Sequence, residues 1–496
     1  MESRRPGVLC STRFNLALIC FLGCVIVYAC RSNLSFALVC MVNSTAIDDG
    51  VQTKISACGR IAQTNTVDKI EGEFAWSKST QGALLSAFFW GYTSSQILGG
   101  QLATIIGGRY VVGAAAIVNV IATLASVAAA RTNIMFFIGL RAVLGACQGA
   151  MFPAMQQMWS VWAPPMERSL LTGVSFAGAQ VGNVMVMPLS GILCKYGPFG
   201  GWPSIFYVLG LAGLVWAVLW FYCVADSPKT HRQITDEERE YIVDSLAENN
   251  GHESEIKRSV PWKSVLTSMP VWACFVGHFA GDWGAYMMAT SLPLYMNDVL
   301  GYDLTSMGFI SSIPYILYFV CINLGGIMAD SLRNSGRLST VNTRRLAQLF
   351  ALGSQAIFLL LIGTANCGQE TLVIIYLTLG IGLSGLQYAG VVVNYLDIAP
   401  SFVGPIFGLG NTISCAAGIL SPLVMGWLTP TGAKEEWQMV FMVTAAILAV
   451  GGLFYALFAD GEVQDWARSD NKTRILQEPL LIENGIDEKN GKVPLS

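Results

Sequence analysis

Long apolar runs are the feature that most constrains this sequence. The first run, 14–41, holds a single charge, Arg31, and about 20 apolar residues are enough to span the hydrocarbon core of a bilayer. Eleven more runs follow, at 80–106, 110–130, 133–160, 170–194, 203–225, 266–298, 303–329, 344–366, 371–395, 403–428 and 437–459. Only 12% of the residues are charged, against roughly 25% in soluble proteins. The sequence therefore predicts an all-α membrane protein with twelve transmembrane helices.

A charged segment divides the twelve runs into two sets of six. We expect an N-terminal six-helix half, a cytosolic central loop, a C-terminal six-helix half and a polar cytosolic tail, at 1–225, 226–262, 263–462 and 463–496. In the central loop, Thr235 followed by Glu238 predicts the start of a surface helix over 235–247. Most arginines of the short loops fall on one side, so we expect both termini and the central loop in the cytosol.

Short motifs recur at equivalent places in the two halves. Gly182-Asn183 precedes Pro188 in the fifth run, and Gly410-Asn411 precedes Pro422 in the eleventh. Two six-helix halves with matching motifs are typical of transporters whose binding site lies between the repeats, near the membrane midplane. A channel or a seven-helix receptor would also have apolar runs, but the number of runs and the repeat argue against both.

Arg31 is the strongest candidate for a functional residue. A lone arginine at this depth costs about 3 kcal/mol on insertion scales, so it must face a protein interior or a water-filled cavity. Its planar guanidinium can bind a carboxylate with two parallel hydrogen bonds. That carboxylate is either a substrate anion or an acidic residue on another helix, and the sequence leaves both alternatives open.

Other patterns argue against several classes of protein. The thirteen cysteines show no zinc-binding spacing, and no phosphate-binding loop or catalytic triad is visible. Gly380-x-Gly382-x-x-Gly385 fits a dinucleotide fingerprint but lies in an apolar helix with no preceding strand. We therefore expect no enzyme activity, no cofactor, no metal and no nucleic-acid partner. Cys58 and Cys367, in predicted non-cytosolic loops, are able to pair, and Asn43 begins a glycosylation acceptor.

Several longer motifs carry a family resemblance. They occur in order along the chain: YACRSNLS (28–35), FFWGY (88–92), WAPPMERS (162–169), LDIAPS (396–401) and GEVQDWA (461–467). Together they resemble the major facilitator superfamily, and within it the anion-transporter branch of sialin, the vesicular glutamate transporters and the sodium/phosphate cotransporter-like proteins. Within this branch, the sequence as a whole most resembles the sialin type. The resemblance implies alternating access between the two halves.

The resemblance also implies a set of substrate-binding residues. Arg31 and Arg141 are the candidates to bind an organic anion. Tyr92 and Tyr286 match cavity-facing positions, where a ring with one hydroxyl suits a polyhydroxylated acid, although both are equally compatible with packing. Asn411 is a candidate to hydrogen-bond the substrate or, alternatively, to join two helices.

The chain departs from the family at the positions that carry protons. Proton-coupled members have a glutamate seven residues after the helix 4 arginine, where this chain has Gln148. A second glutamate of sialin-type proteins corresponds to Leu144 in this chain. His278 and Asp282, four residues apart, share one helical face, and histidine titrates near neutral pH. His278, Asp282 and the Gln148 position are therefore the candidate ion-coupling residues. The alternatives are a purely structural pair, or an Asp282 that neutralises Arg31 or Arg141.

These observations predict a sialin-like secondary transporter of acidic sugars or acidic amino acids that works by proton-coupled symport. The alternative is a voltage-driven, polyspecific organic anion or phosphate transporter without proton coupling. The expected partners are a small organic anion, a coupling proton or sodium ion, and membrane lipid. The expected location is a lysosomal, vesicular or plasma membrane.

Overall fold

A computed structural model describes residues 7, 11–43, 72–164, 167–252, 260–365 and 368–468. In these ranges the chain is almost entirely helical. The α-helices are α1 Thr12–Met41, α2 Lys78–Ile106, α3 Gly108–Thr132, α4 Ile134–Trp162, α5 Arg168–Tyr196, α6 Trp202–Cys223, α7 Asp236–His252, α8 Trp262–Thr267, α9 Met269–Tyr295, α10 Leu304–Asn334, α11 Thr340–Thr364, α12 Glu370–Ser384, α13 Val391–Ile398, α14 Val403–Leu428 and α15 Lys434–Phe458.

Ten segments are long and apolar enough to cross a membrane, with α12 and α13 counted as one. The two other long helices, α2 and α9, have 29 and 27 residues and include polar side chains such as Gln96 and Asp282. Both lie between the two sets of helices, because α2 packs on α14 and α9 packs on α1. Polar residues in a membrane helix normally face such an interior. The chain is thus an all-α membrane protein with twelve transmembrane segments in two sets of six, as predicted.

Each set of six packs mainly on itself. In the first set, α1 packs on α5, α2 on α4, and α3 on α4 and α6. In the second set, α9 packs on α14 and α15, α11 on α12 and α15, and α10 on α12. Three pairs join the sets: α2 with α14, α5 with α10, and α1 with α9. A site bounded by α1, α2, α9 and α14 therefore touches both sets.

Glycine allows α2 and α4 to approach closely. A Cβ atom on Gly145 would overlap the carbonyl oxygen of Phe88, and one on Gly91 would overlap that of Ala142. Small residues at a helix interface let backbones approach in lipid, where dispersion replaces the hydrophobic effect as the driving force. This contact fixes the Phe88 region of α2 against α4.

The span predicted over 371–395 is present, but it is not one continuous helix. The helix breaks between α12 and α13, with a short 3₁₀ turn at Gly385–Tyr388. Side chains of α11 satisfy the freed backbone groups: Arg344 donates to the carbonyl of Ala389 at 2.9 Å, and the amide of Val391 donates to Gln348 at 3.2 Å. Irregular backbone at membrane depth requires partners of this kind.

The central segment carries α7, which begins where the sequence predicts. The amide of Glu238 donates to the Thr235 hydroxyl at 3.3 Å, and the helix continues to His252. Glu238 itself is not at the surface: it is 4% exposed and forms an ion pair with Arg13 at 2.9 Å. Arg13 also binds Glu167 at 2.6 Å. These buried pairs attach α7 and the start of α5 to the beginning of α1.

At the opposite end of the bundle, a disulfide joins α1 to α5. Cys40 and Cys194 are bonded, with their Cα atoms 6.3 Å apart. Nothing in the sequence indicates this pair, because both cysteines lie within apolar runs. The predicted pairing of Cys58 with Cys367 falls outside the described residues.

Candidate functional site

Arg31 lies inside a box of aromatic rings, defined by Tyr28, Phe88, Phe89, Tyr92 and Tyr286. The ring centroids are 5.0 to 5.4 Å from its guanidinium carbon. The rings come from α1, α2 and α9, so both halves contribute. Cation–π attraction from several faces stabilises a charge that is removed from water.

The guanidinium of Arg31 has no counter-ion among the described residues. Its Nη2 atom is buried without a hydrogen-bond partner, and no carboxylate of the described ranges forms an ion pair with it. A buried donor left unpaired is costly, so such a group is a natural binding point for an anion.

Arg141 lies behind α1. Its Nη1 donates to the carbonyl of Cys30 at 3.3 Å and its Nη2 to that of Arg31 at 3.2 Å. The side chain is only 2% exposed. Arg141 is thus bonded to the α1 backbone at Cys30 and Arg31. Direct contact with the substrate stays a prediction.

The structure brings Tyr92 and Tyr286 together at Arg31, and their contact with substrate stays a prediction. Three residues of the box were missed from the sequence. Tyr28 precedes Arg31 by three residues, which places both on one face of α1, so this spacing was a usable signal. Phe88 and Phe89 belong to the FFWGY motif, but no local pattern separates a ring that faces Arg31 from one that faces lipid.

Asn411 bridges the two halves. Its side-chain amide donates to Gln96 of α2 at 3.1 Å, and Gln96 in turn donates to the thiol of Cys415 at 3.4 Å. These contacts fit the alternative interpretation of Asn411 as a residue that joins helices. Gln96 was not identified from the sequence.

His278 and Asp282 approach each other as their spacing predicts. His278 Nε2 lies 3.7 Å from Asp282 Oδ2, and the other ring nitrogen is 3.4 Å from the hydroxyl of Tyr395. Ser414 of α14 donates to Asp282 Oδ2 at 2.6 Å. Ser414 was missed, because only the packing of α9 on α14 brings it to the pair. Their part in ion coupling stays a prediction.

Gln148 lies inside the first half. Its amide donates to Asn119 of α3 at 3.1 Å, and it is 1% exposed. Leu144, at the other glutamate position, packs with Phe88 in an apolar cluster. Neither Gln148 nor Leu144 is titratable, so α4 has no acid at the two positions where the resemblance places one.

Comparisons with known proteins identify the family. The model of the Major Facilitator Superfamily matches residues 20–422. The chain is 53% identical over 465 residues to the uncharacterized transporter slc-17.2 of Caenorhabditis elegans, with 94% of each chain covered. It is 41% identical over 469 residues to sialin of Homo sapiens, with 94% of this chain and 92% of sialin covered.

The fold is that of known transporters. The crystal structure of a D-xylose-proton symporter matches with a TM-score of 0.65 and 13% sequence identity, over 91% of this chain and 99% of the symporter. The chain therefore belongs to the Major Facilitator Superfamily, as a multi-pass secondary transporter, not an enzyme, in the anion-transporter branch of sialin and the vesicular glutamate transporters.

Proposed function

We propose that this protein transports small organic acids, either acidic sugars or acidic amino acids, by alternating access with Arg31 as the carboxylate-binding residue. One observation carries the proposal: the Arg31 guanidinium, whose Nη2 atom is buried and which has no counter-ion among the described residues, lies in a box of rings from both halves. A carboxylate would supply the missing partner through a bidentate, charge-assisted contact. The tyrosine hydroxyls of the box supply further hydrogen bonds to a hydroxylated or amidated substrate.

Contacts at one end of the bundle support alternating access. Lys78 of α2 forms an ion pair with Asp298, which follows α9, and both side chains are largely buried. The Gly426 backbone packs directly on that of Lys78. With both termini in the cytosol, as we propose, these contacts close the non-cytosolic side. The membrane concerned is that of a lysosome, a vesicle or the cell surface.

We propose that proton-coupled symport uses the His278–Asp282 pair. The pair is close and largely shielded from solvent, and histidine titrates in the range of acidic organelles. A voltage-driven carrier of organic anions or phosphate is the second candidate. It is favoured by the absence of an acid at Gln148 and Leu144. Uptake with the pH gradient collapsed and the membrane potential retained separates the two.

Substitution of Arg31 tests the binding site. Arg31→Lys keeps a positive charge but loses the fork geometry, and we expect it to lower uptake into proteoliposomes at least about tenfold, by analogy with the loss of a charge-assisted hydrogen bond. Arg31→Ala should abolish uptake. Arg131→Lys, at an arginine that is 46% exposed, is the control that should transport normally. Near-normal uptake by Arg31→Ala, with normal amounts in the membrane, contradicts the proposal.

A further inference from the structure

A cavity lies in the first half, where α3 begins and α6 ends. Its volume is about 350 Å³, and it is bordered by Arg109 of α3, by Tyr222 of α6 and by Arg232 of the segment that follows α6. Sites for small molecules measure about 300–1,000 Å³. With both termini in the cytosol, as proposed above, this is the cytosolic end of both helices. The cavity shares no lining residue with the aromatic box around Arg31.

The two arginines of this cavity have no acidic partner in the described part of the chain. Nη2 of Arg109 donates to the carbonyl of Phe221 at 2.7 Å, and its Nε atom is buried without a hydrogen-bond partner. Asp226 accepts from the backbone amide of Arg109 at 3.0 Å and forms no ion pair with the guanidinium. Arg232 is exposed. A buried donor without a partner is costly, so the cavity favours an anion.

The second half provides an internal comparison. Arg345 of α11 donates to the carbonyl of Ala459, just after α15, at 2.6 Å, as Arg109 donates to the last turn of α6. Its Nε atom is likewise buried and unpartnered. Here, however, the chain after α15 folds back, and Gly461 packs on Val341 of α11. The first half differs in having an open cavity and a second arginine beside the equivalent residue.

We propose that this cavity binds the phosphate monoester of a lipid headgroup from the cytosolic leaflet, such as that of a phosphoinositide. A phosphate monoester carries a charge of about −1.5 to −2 near pH 7 and three acceptor oxygens, which matches Arg109 and Arg232 together. Arginine binds phosphate through paired, charge-assisted hydrogen bonds, and basic pockets between transmembrane helices bind anionic headgroups. The proposal is independent of the transported substrate; only the leaflet rests on the proposed orientation.

The surface next to the cavity favours a lipid over a free phosphate compound. Tyr110 and Tyr222 are 52% and 80% exposed, and tyrosines at the ends of membrane helices lie at the level of the headgroups. Val215, Val218 and Leu219 are exposed on the same face of α6 as Tyr222, because they precede it by one and two turns. The acyl chains of a lipid bound in the cavity can pack on this face.

Competition for the wild-type protein tests the ligand class. The purified full chain in detergent is titrated with fluorescent dioctanoyl phosphatidylinositol monophosphate, and anisotropy reports binding. The competitors are the unlabelled lipid, soluble inositol bisphosphate, inorganic phosphate and dioctanoyl phosphatidylcholine. We expect the unlabelled lipid to compete at a concentration about tenfold lower than inositol bisphosphate, because its chains add apolar contact, and phosphatidylcholine not to compete.

The other outcomes are equally informative. Equal potency of the lipid and inositol bisphosphate supports the phosphate site and assigns it to a soluble phosphate compound. Absence of saturable binding, or displacement by phosphatidylcholine as effective as that by the phosphoinositide, overturns the proposal. Neither result bears on Arg31, so the proposed transport of organic acids is judged separately, by uptake.

Variants assign the binding to the cavity. Arg232→Gln removes a charge from an exposed residue, and we expect affinity for the phosphoinositide to fall about tenfold, as for other charged hydrogen bonds. Arg232→Lys should recover part of the loss. The matched control is Arg337→Gln, at an exposed arginine of the α10–α11 loop at the same end of the bundle, which should bind as the wild type. Equal affinities of Arg232→Gln and Arg337→Gln overturn the proposal, whether both are strong or both are weak.

Discussion

At the scale of single residues, aromatic rings stabilise the positive charge of Arg31, as a counter-ion does for other charges inside proteins. Arg31 keeps its charge inside the membrane because rings of α1, α2 and α9 surround it. Arg141 holds the backbone behind it through two carbonyl groups. The positive charge is thus fixed in position but not neutralised, and this combination suits a group that must bind and release an anion repeatedly.

Gln148 allows a test of whether an acid on α4 can couple transport to protons. It lies seven residues, or about two turns, after Arg141. We expect Gln148→Glu to make uptake depend more strongly on a transmembrane pH gradient, because a carboxyl group at this position can take up and release a proton. The measurement is uptake into proteoliposomes with and without the gradient.

The control for this prediction is Gln156→Glu, at an exposed position of the same helix. Uptake by Gln148→Glu that is indifferent to pH would show that α4 does not couple transport to protons here.

His278 permits a sharper separation of roles. If it carries the coupling proton, His278→Gln should abolish proton-driven accumulation and leave substrate exchange intact, because exchange needs no net proton movement. Both activities are measured in the same vesicle preparation. A joint fall of exchange, accumulation and protein amount would identify the pair as structural. Wild-type uptake that follows potential alone would remove the prediction before any variant is made.

Local geometry explains which site residues were predictable. His278 and Asp282 are four apart in a helix, and that spacing alone brings them into contact. Arg31 stands out because it is the one charge in its run. Ser414 and Gln96, by contrast, reach the site only through the packing of α14 on α9 and α2. No periodicity within one helix encodes such a contact, so the sequence could not reveal it.

At the scale of helices, the α2–α4 contact is open to a test with two glycines of α4. Gly145→Ala would place a methyl group on the Phe88 carbonyl, and we expect a loss of about 1–3 kcal/mol, as for other overpacked interfaces. Gly139→Ala is the control: it has nothing within 4 Å and should be neutral or stabilising by up to about 1 kcal/mol.

The readout is the unfolding midpoint in detergent, together with uptake. Equal midpoints for the two variants would mean that the close approach of α2 and α4 contributes nothing to stability.

The break between α12 and α13 shows where prediction of helices stops. Residues 371–395 carry no charge, so hydropathy predicts one span, and the structure has one candidate span there. The break depends on Arg344 and Gln348, which reach the freed backbone from α11. A pattern within the segment cannot report on partners that another helix supplies.

At the scale of the whole molecule, the Lys78–Asp298 pair connects the halves at the proposed non-cytosolic end. Lys78→Gln removes the pair and should favour opening of that end. An ion pair of about 1 kcal/mol corresponds to roughly a fivefold change in a two-state equilibrium. We therefore expect tighter apparent binding of substrate presented from the non-cytosolic side, measured in vesicles of known orientation.

Arg131→Gln is the matched control. Its partner Glu73 lies at the same end but belongs to the same half, so its loss should not shift the equilibrium. The hydrogen bond from Arg131 lowers the pKa of the Glu73 carboxyl, which keeps this pair charged at mildly acidic pH. Unchanged binding by Lys78→Gln would show that the ion pair does not restrain opening.

The membrane explains why the architecture was predictable at this scale. Backbone groups inside the bilayer must find partners within the protein, and a helix supplies most of them itself, so apolar runs of sufficient length become helices and their number follows from the sequence. Which end is closed does not follow, since the contacts of Lys78 and Gly426 join helices that are far apart in the sequence.

The ends of α1 give this architecture a mechanical consequence. Arg13 is held by two buried carboxylates at one end, and Cys40 is covalently bonded to α5 at the other. A helix that is attached at both ends cannot tilt independently of the helices that hold it. A force that a bound ligand exerts on Arg31, between the two attachment points, is therefore transmitted to α5 and to the helices packed on it. We therefore expect a ligand bound at the middle of α1 to move α1 and α5 together as one unit.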